Sequence, residues 1–514
     1  IVLDWEITDE KENLFGLTFN NAVYDEPYFF IPQYSEIIEL DNPTSDFRIT
    51  VENAVFEKYP LKKVFDNSND FPSEVEIQTV KLKSGNEYRL QLNVSTVIKQ
   101  NDELLILKSF SLKKIPLQVK KAELSANEWA SNSVLKSGNW VKIKTSGKSI
   151  YKIPYSKLTS WGFSDPSKVN VFGSGGLHLS ENPGIINYDD LNQCNVWHGQ
   201  NNGVNCLFFY EPGNVLWEPN NTNTFLMHKN HDYTDAGYFF LTDNVGSVKL
   251  AGEFENVSAP ATHQITDFDA YDFFEADLSN LISSGKNWYG EKLGNGVSKT
   301  ISFNLTDYNP ENKVQIKVNA VARSYQSYAI QVHANSEYLG ILSFSNVNTE
   351  DQTSVYASEK SGTFLYSNNR DNLEVKVTYS AGNNNALSWL DFIEVNYRKK
   401  LVLKSGQLFF RDLKSVGTEN ILSFSIESSA SGVQVFDVTD VTNVTKVPVT
   451  VANGKISGKR PSENLREYVA FNPGGSFPEP DLVGKIENQN LHGIATPEYL
   501  IITHPDFLNA ANEL

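Results

Sequence analysis

The thiol chemistry open to this chain is limited, because its 514 residues include only two cysteines, Cys194 and Cys206. They lie in a Gly/Asn-rich stretch, QCNVWHGQNNGVNC, whose composition predicts a surface loop or hairpin tip. In an exported protein we expect them to form one loop-closing disulfide that contributes ~3 kcal/mol. A zinc site would need two further ligands, and only His198 lies inside the loop. A catalytic Cys206–His198 pair is the less favoured alternative.

Other motifs for catalysis or ligand binding are incomplete. His228 and His231 are three positions apart without a third ligand nearby, so we interpret them as polar loop residues. The GSGG stretch at 173–176 is not followed by the Lys-Ser/Thr pair and helix of a phosphate-binding loop, and it predicts a tight turn between strands. The serine-hydrolase pattern GxSxG is absent from the sequence. The sequence therefore predicts no catalytic, cofactor or metal site.

Two acidic stretches could bind a hard cation such as calcium: Asp267, Asp269 and Asp272, and Asp66 with Asp70. Neither stretch has the glycine and terminal glutamate of the helix–loop–helix calcium loop, so solvation of an acidic surface is the favoured interpretation. A carboxylate pair for glycoside cleavage stays open, because the spacing of such a pair is spatial and not sequential. Exposed aromatic side chains could also stack on sugar rings, although most of the eight Trp residues are expected in the core.

The overall composition is that of a folded, exported protein. Hydrophobic residues make up 40% and charged residues 21% of the chain, which excludes general disorder. The formal net charge of −18 argues against nucleic acid as a partner, since phosphate binding needs clustered Lys and Arg. No apolar run approaches the ~20 residues that a membrane-spanning helix needs. The only methionine is Met227, so a mature chain without its signal peptide is favoured over an artificial boundary.

Alternation of apolar and polar residues predicts strands along most of the chain. Clear examples are 88–94, 314–320, 373–379 and 393–397. Turn clusters at 307–312 and 383–385 separate these runs, and short helical stretches are predicted only at 155–161 and 278–283. We therefore expect a mainly β chain with several antiparallel sandwich or jelly-roll-like domains.

Changes in composition divide the chain into five predicted parts. These are an N-terminal β-rich domain (1–120), a β domain with the cysteine loop (121–265), a β-sandwich (266–400), a small β segment with a Pro/Gly-rich tether (401–485), and the start of a further domain (486–514).

The last thirty residues break the alternation. The residues from Tyr499 to Ile502 form a continuous apolar run, which is typical of a strand buried on both faces. Pro505 follows near the predicted start of a helix. This pattern indicates one strand–helix unit of a parallel α/β sheet, and such a sheet needs several units. We therefore expect an α/β domain that is incomplete in this chain.

Several stretches resemble one known family. SIYKIPYSKLTSWGFSDPSKVNVFGSGG, then Asp189-Asp190-Leu191, then FFYEPGNVLWEPNNTNTFLMHKNHDYTDAGYFFLT are similar to the N-terminal region of the gingipain-like sortases of the type IX secretion system. Further similar stretches are SGKNWYGEKL, WLDFIEVNYRKKL, QLFFRD, VFDVTD and VGKIENQNLHGIATPEYLIITHPDFL. They extend from about Ser149 to the end, roughly 70% of the chain. The first predicted domain contains no such motif.

The resemblance implies a cysteine peptidase of bacteria in the Bacteroidetes group, exposed at the cell surface and peripheral to the outer membrane. Such an enzyme removes C-terminal sorting domains from secreted cargo and joins the cargo to an anionic lipopolysaccharide or similar surface glycolipid. The implied partners are the outer-membrane β-barrel PorV, other attachment-complex proteins, the cargo and the glycolipid. Catalysis would use a Cys thiolate activated by a His in a caspase-like α/β domain.

None of the family's catalytic residues can be placed in this chain. They follow the first strands of the α/β domain, which is predicted to begin here at about Ile486. Cys194 and Cys206 lie far upstream, and nothing aligns His504 with the catalytic His. The leading hypothesis is therefore that the chain is the non-catalytic N-terminal portion of such a sortase. The alternative is a surface adhesin or carbohydrate-binding protein whose binding module is the sandwich at 267–400.

Overall fold

A computed structural model describes the protein over residues 1–7, 17–24, 31–40, 47–59, 71–84, 87–100, 103–116, 130–178, 189–283, 285, 287–326, 328–351, 354–404 and 406–513. Strands dominate these residues, whereas helices are few and short, so the predicted mainly β class is confirmed. None of the helices in these ranges is long and apolar enough to cross a membrane.

The first unit consists of two small antiparallel sheets that share one hydrophobic core. Their strand orders are β3-β6-β5 and β4-β8-β7, and a short β1-β2 pair lies beside them. Leu90, Leu92 and Val94 alternate along β6 and are all buried, as the sequence predicts. The strands are β1 (Trp5–Ile7), β2 (Leu17–Phe19), β3 (Gln33–Leu40), β4 (Phe47–Tyr59), β5 (Ile77–Ser84), β6 (Glu87–Ser95), β7 (Val97–Gln100) and β8 (Glu103–Pro116).

The second unit contains the two cysteines. Its strands are β9 (Trp140–Thr145), β10 (Ser149–Pro154), β11 (Asn170–Gly175), β12 (Val196–Asn201), β13 (Val204–Glu211), β14 (Val215–Pro219), β15 (Leu226–Asn230), β16 (Gly237–Thr242), β17 (Gly252–Glu253) and β18 (His263–Ile265). The sheet β10-β13-β12 packs on the sheet that contains β11, β16 and β9, with Phe209 and Phe239 in the shared core. Strands β14 and β15 form a separate two-stranded hairpin. This hairpin carries His228 away from the second unit toward the sandwich.

The third unit is a β-sandwich. Its two antiparallel sheets have the orders β19-β29-β24-β27, with β22 also paired to β29, and β23-β28-β25-β26. Val314, Ile316 and Val318 are fully buried between the sheets, which confirms the alternation seen in the sequence. The strands are β19 (Asp267–Glu275), β20 (Ser279–Asn280), β21 (Trp288–Tyr289), β22 (Lys292–Gly294), β23 (Ser298–Asn304), β24 (Val314–Arg323), β25 (Tyr328–Ala334), β26 (Glu337–Phe344), β27 (Ser358–Tyr366), β28 (Asn372–Ala381) and β29 (Leu387–Lys400).

Except for β37, which joins the sheet of β9, the remaining strands form two further sheets that also take strands from the second unit. The orders are β17-β33-β32-β36-β30 and β18-β31-β35-β34. The strands are β30 (Gln407–Phe410), β31 (Ile421–Glu427), β32 (Gln434–Asp437), β33 (Thr445–Lys446), β34 (Val449–Ala452), β35 (Lys455–Pro461), β36 (Tyr468–Phe471) and β37 (Asp481–Ile486). Phe410, Phe424 and Tyr468 pack into the sandwich core, whereas Phe436 and Phe471 pack against the cysteine-containing unit.

Three of the described sheets therefore combine strands from different predicted parts of the chain. Strand β37 pairs antiparallel with β9, β17 pairs parallel with β33, and β18 pairs parallel with β31. The division of the chain into five parts stays a prediction.

The helices are short. The predicted helix at 155–161 is confirmed as α1 (Tyr155–Ser160), and the stretch predicted at 278–283 contains a 3₁₀ turn, Leu281–Ser283. Further 3₁₀ turns are Val134–Lys136, Pro166–Lys168, Leu491–Gly493 and Pro505–Phe507, and α2 (Leu508–Asn512) is the last helix.

The C-terminal residues differ from the expectation. Residues 499–502 form no strand, and their exposed fractions range from 39% at Ile501 to 90% at Ile502. The helical part does form, since Pro505 begins a 3₁₀ turn that continues into α2. A strand buried on both faces requires neighbouring strands that satisfy its backbone groups, and none of the described strands pairs with this run. The described residues therefore include no caspase-like domain.

Candidate functional site

Both cysteine thiols are free and buried, rather than joined in the predicted disulfide. They lie in different hydrophobic clusters: Cys194 packs with Phe209 and Phe239, whereas Cys206 packs with Phe208 and Phe471. Burial raises the pKa of Cys194 to about 12 and also raises the pKa of Cys206. A thiol acts as a nucleophile in its thiolate form, so neither cysteine is prepared for catalysis in this structure.

His198 does not activate Cys206. Its Nδ1 atom shares a hydrogen bond of 2.7 Å with the Tyr155 hydroxyl group, and its Nε2 atom is buried without a partner. The Cys206 thiol instead donates to the carbonyl oxygen of Val204 at 3.4 Å. The stretch predicted to be a surface loop or hairpin tip is a β-hairpin, in which His198 lies on β12 and Cys206 on β13.

The His228 ring is buried and contacts two carboxylates, although the sequence suggested a polar loop residue. His228 lies on β15, and its imidazole ring is inserted between two carboxylates of the sandwich. Nδ1 is 2.6 Å from Glu394 Oε1, and Nε2 is 2.5 Å from Glu275 Oε2. The backbone N–H of His228 also donates to Glu394 at 2.8 Å. We take this cluster as the candidate site, because it fastens the hairpin β14–β15 to the outer face of the sandwich.

The electrostatics of the cluster favour a charged imidazolium. Burial by itself would lower the pKa of His228, but the hydrogen bonds and charges of Glu275 and Glu394 outweigh it and raise the pKa to about 9. With both ring nitrogens protonated, each can donate to one carboxylate. His228 is therefore a cation at neutral pH and compensates the buried charge of Glu394.

Aromatic rings and a side-chain amide complete the attachment of the hairpin. Phe273 stacks on the His228 ring with centroids 4.2 Å apart, and Trp217 stacks on Tyr271 at 4.0 Å. Asn396 donates to the carbonyl oxygen of Leu226 and accepts from its N–H, both at 2.8 Å. The hairpin is therefore held by matched polar contacts as well as by apolar area.

A second group of carboxylates lies on the same face of the sandwich. The pairing of β24 and β29 shifts between Asn319 and Ala320, so Asp391 is the extra residue of a β-bulge. The Asn319 amide donates to Asp391 at 2.7 Å and to Glu359 at 2.9 Å. Burial, reinforced by nearby carboxylates, raises the pKa of Asp391 to about 7. Asp391 can therefore bind or release a proton near neutral pH.

The acidic stretch at the start of β19 is structural rather than a solvated surface. Arg398 lies opposite Asp269 in the β19–β29 pair, and its guanidinium binds three carboxylates. The distances are 3.0 Å to Asp267, 2.8 Å to Asp269 and 2.7 Å to Asp412. Asp272 contributes no side chain to this cluster and instead accepts from the N–H of Phe273. The other acidic stretch, Asp66 and Asp70, lies outside the described residues.

The GSGG stretch was predicted to be a tight turn between strands, but its first three residues belong to β11 and only Gly176 lies in a turn. The stretch approaches a buried carboxylate. The N–H of Gly176 donates to Glu211 at 3.1 Å, and the N–H of Gly213 donates at 2.7 Å. The Thr145 hydroxyl donates to the other oxygen at 2.6 Å. Burial raises the pKa of Glu211 despite these donors. The stretch therefore holds a structural carboxylate and shows no phosphate-binding architecture.

Metal binding gains no support from these groups. Within the described ranges, no cluster of three or more His, Cys, Asp or Glu side chains has an arrangement that could hold a metal ion. The acidic groups are instead paired with Arg398, His228 or amide donors.

Sequence reasoning missed His228, Glu394 and Arg398. The alternation of Ile393, Val395 and Tyr397 predicts one buried face for β29, with the intervening residues facing solvent. In the structure Glu394 and Arg398 are also buried, because other parts of the chain cover the second face. The charged residues that alternate along the 14-residue strand β29 were a possible signal of buried ion pairs. The sequence does not show which residues pair with them, because the partners are distant in the chain.

Comparison with known proteins gives one informative match. No protein-family model matches the chain, and no curated protein matches it. Among solved structures, the chain matches the crystal structure of dimeric latent PorU from Porphyromonas gingivalis, with a TM-score of 0.64 and 25% identity. The match covers 72% of this chain and 35% of that chain, so the present chain spans about a third of the length of the PorU structure.

Two further structures are much less similar. A carbohydrate-binding module, CBM36 in complex with calcium and xylotriose, gives a TM-score of 0.17 and 14% identity over 26% of this chain and 99% of that one. The insecticidal delta-endotoxin Cry8Ea1 from Bacillus thuringiensis gives 0.19 and 9% identity over 63% of this chain and 52% of that one. At these TM-scores neither supports an inference. The β architecture and the PorU match confirm the resemblance found in the sequence: over most of its length, this chain is similar to PorU.

Proposed function

We propose that this chain is the non-catalytic β portion of a cell-surface gingipain-like sortase of the type IX secretion system. The whole protein would remove C-terminal sorting domains from secreted cargo and join the cargo to a surface glycolipid. The observation that carries this proposal is the match to PorU over 72% of the chain. PorV, other attachment-complex proteins, the cargo and the glycolipid are the partners we propose, at the outer surface of the outer membrane.

The non-catalytic role is supported by the state of the two thiols. Cys194 and Cys206 are buried, their pKa values are raised, and His198 is hydrogen-bonded to Tyr155. A cysteine peptidase needs an accessible thiol with a lowered pKa beside a His. The His228 cluster fits a scaffold, because its groups neutralise one another and fix two units together.

The non-catalytic role can be tested on the isolated chain. We expect an active-site-directed cysteine-peptidase probe to leave both cysteines unmodified in the native protein, as measured by mass spectrometry. In denaturant without reductant, iodoacetamide should modify both, which also shows that they are not joined in a disulfide. Stoichiometric labelling of either native thiol by the peptidase probe would overturn the non-catalytic role.

The sortase assignment needs a test in the source bacterium. Deletion of the gene should leave secreted cargo with its C-terminal sorting domain attached, as measured by mass spectrometry of surface proteins. Reintroduction of the gene with Cys194→Ala and Cys206→Ala should restore cleavage, because these thiols have no catalytic role. Normal cargo processing in the deletion strain would refute the assignment.

The alternative function, sugar binding by the sandwich, is disfavoured by the packing of one sandwich face. Hairpin β14–β15 covers the aromatic residues Tyr271 and Phe273 of that face. These rings are therefore engaged within the protein and are not a free stacking platform. The adhesin alternative would be supported if the intact chain bound glycans on an array and lost this binding when exposed sandwich residues were substituted.

A further inference from the structure

Strand β12 is the edge of the sheet β10-β13-β12. It is joined to β13 by a two-residue turn, Asn202-Gly203, in which both residues have positive φ values of 51° and 80°. Such a turn closes on a hydrogen-bonded pair, here Asn201 and Val204. Since hydrogen-bonded and non-hydrogen-bonded pairs alternate, the backbone groups of Val196, His198 and Gln200 point away from β13.

The first of these outward positions is occupied by another segment of the chain. Val196 accepts from the N–H of Ala251 and donates to the carbonyl oxygen of Lys249, both at 2.9 Å, in a parallel bridge. The chain then diverges from β12, because Gly252 and Glu253 pair with β33 instead. Among the described residues, no backbone group bonds to the outward N–H and C=O groups of His198 and Gln200. The parallel ladder that starts at Val196 is therefore left incomplete.

A cavity of about 330 Å³ opens where the two segments diverge. Trp197, Phe436 and Phe471 line it, and the Trp197 and Phe436 rings are stacked 4.7 Å apart. Gly199 borders the cavity without a side chain, so the space is open toward the strand edge. The cavity is large enough for one large apolar side chain.

Unpaired polar groups surround the same cavity. Glu253 and Lys446 lie side by side in the β17–β33 register, and neither side chain has an ion pair or hydrogen bond within the described part of the chain. A ligand with both donors and acceptors would complement this mixture of charges and polar atoms.

We propose that the edge of β12 and this cavity form a docking site for an extended peptide segment. The segment binds parallel to β12, continues the ladder that Lys249–Ala251 begins, and pairs with the backbone of His198 and Gln200. One apolar side chain of the segment enters the Trp197–Phe436 cavity, while Glu253 and Lys446 contact its polar atoms. A peptide fits better than a sugar, because the outward N–H and C=O groups of His198 and Gln200 have the spacing of strand backbone. An extended peptide presents backbone groups at the same spacing and can pair with both residues. This inference does not depend on the sortase proposal.

The test uses the intact chain and a phage-displayed random heptapeptide library. The most enriched peptide is synthesised with a fluorescent label, and its Kd is measured by anisotropy. Gln200→Pro removes one outward N–H without removing a donor to β13, and we expect it to weaken binding about tenfold. The matched control, Gln200→Ala, keeps the N–H and should change the Kd less than about twofold.

The cavity is tested separately with Gly199→Leu. A Cβ atom at this position would lie 3.5 Å from Phe208, an ordinary contact, so the larger side chain can fill the cavity without backbone strain. We expect peptide binding to be lost while circular dichroism stays unchanged. If Gln200→Pro fails to fold, the unaltered chain is tested instead with peptides that are N-methylated at alternate residues. Methylation of the residues whose N–H groups pair with β12 should weaken binding, and methylation of the residues between them should not.

Three outcomes would overturn the proposal. The first is that no peptide is enriched, and the second is that enriched peptides bind equally to the Gln200→Pro and Gln200→Ala variants. The third is that cellohexaose or xylohexaose binds in the cavity, and that Gly199→Leu abolishes this binding whereas Gln200→Pro leaves it unchanged. That result would assign the site to a sugar. None of these results bears on cargo processing in the deletion strain, so the two proposals fail independently.

Discussion

The Nδ1 atom of His228 lies 2.6 Å from Oε1 of Glu394, although the two residues are 166 positions apart in sequence. This contact joins a hairpin of the second unit to a central strand of the sandwich sheet. Glu394 is buried, and His228 is its cationic partner in the described structure. A proton held by His228 therefore strengthens one of the contacts between the two units.

Replacement of His228 should destabilise the protein most strongly near neutral pH. His228→Ala leaves Glu394 buried without a cation, and we expect a loss of ~3 kcal/mol in the free energy of unfolding at pH 6.5. Because the folded pKa of about 9 lies above the unfolded value of 6.5, this contribution is complete below pH 6.5 and disappears as the pH rises through 9.

Urea denaturation followed by Trp fluorescence, repeated from pH 6 to pH 9.5, measures this effect. The original chain should lose stability across the range, whereas His228→Ala should change much less. Lys229→Ala, which removes an exposed charge next to His228, is the control and should leave the pH dependence intact. An unchanged pH profile in His228→Ala would contradict the assignment of the charged imidazolium.

Asp391→Asn should have the opposite effect on stability. The pKa of Asp391 is raised from 3.8 to about 7, so its favourable contribution is complete below pH 3.8 and is lost as the pH rises through 7. The amide removes the cost of a buried negative charge, so we expect the midpoint urea concentration to rise at pH 8 and to rise clearly less at pH 5, where Asp391 is still protonated in the folded state. Glu359→Gln, at the exposed end of the same hydrogen-bonded group, should show a smaller difference. Equal stabilisation at both pH values would rule out titration of Asp391 as the cause.

Arg398→Met should be strongly destabilising. It leaves Asp267, Asp269 and Asp412 without their shared cation, and removal of one partner from a buried ion cluster costs ~3–5 kcal/mol. The loss should be smaller at pH 4 than at pH 7, because protonation relieves the repulsion among the carboxylates. Thermal unfolding at both pH values provides the measurement, with Lys400→Met as the control at an exposed position on the same strand. A similar effect of both substitutions would show that Arg398 acts only through net charge.

Gly237→Ala should destabilise the second unit through a steric clash. A Cβ atom at this position would lie 2.2 Å from an oxygen of Glu211 and 2.5 Å from the Thr145 hydroxyl oxygen. Both neighbours are buried and hydrogen-bonded to each other, so neither can move without breaking that bond. We expect a loss of ~2 kcal/mol or more in the free energy of unfolding. Gly199→Ala, whose added Cβ meets Phe208 at 3.5 Å, is the matched control and should be nearly neutral.

Much of the β architecture was predictable from the sequence because strands alternate with a period of two. The inward residues Val314, Ile316 and Val318 of β24 are buried as predicted. The helix α1 (Tyr155–Ser160) also follows from local signals. The candidate site was not predictable in this way, since His228 lies 47 positions from Glu275 and 166 from Glu394.

The C-terminal run shows the limit of local pattern. Its continuous apolar composition predicts a strand buried on both faces, yet Tyr499 and Ile502 are exposed in the structure. The composition of a segment indicates how much apolar surface it can bury. Burial of a strand on both faces also requires neighbouring strands and covering layers, and none of the described strands pairs with this run.

The sequence by itself determined the mainly β class and the similarity to one family, because these depend on local periodicity and on short ordered motifs. Only the tertiary structure decided that both thiols are free in separate clusters, that His228 and Arg398 neutralise buried carboxylates, and that β12 keeps an open edge. The physical reason is that charge compensation and strand pairing join residues far apart in the chain, and their energies depend on distance in space.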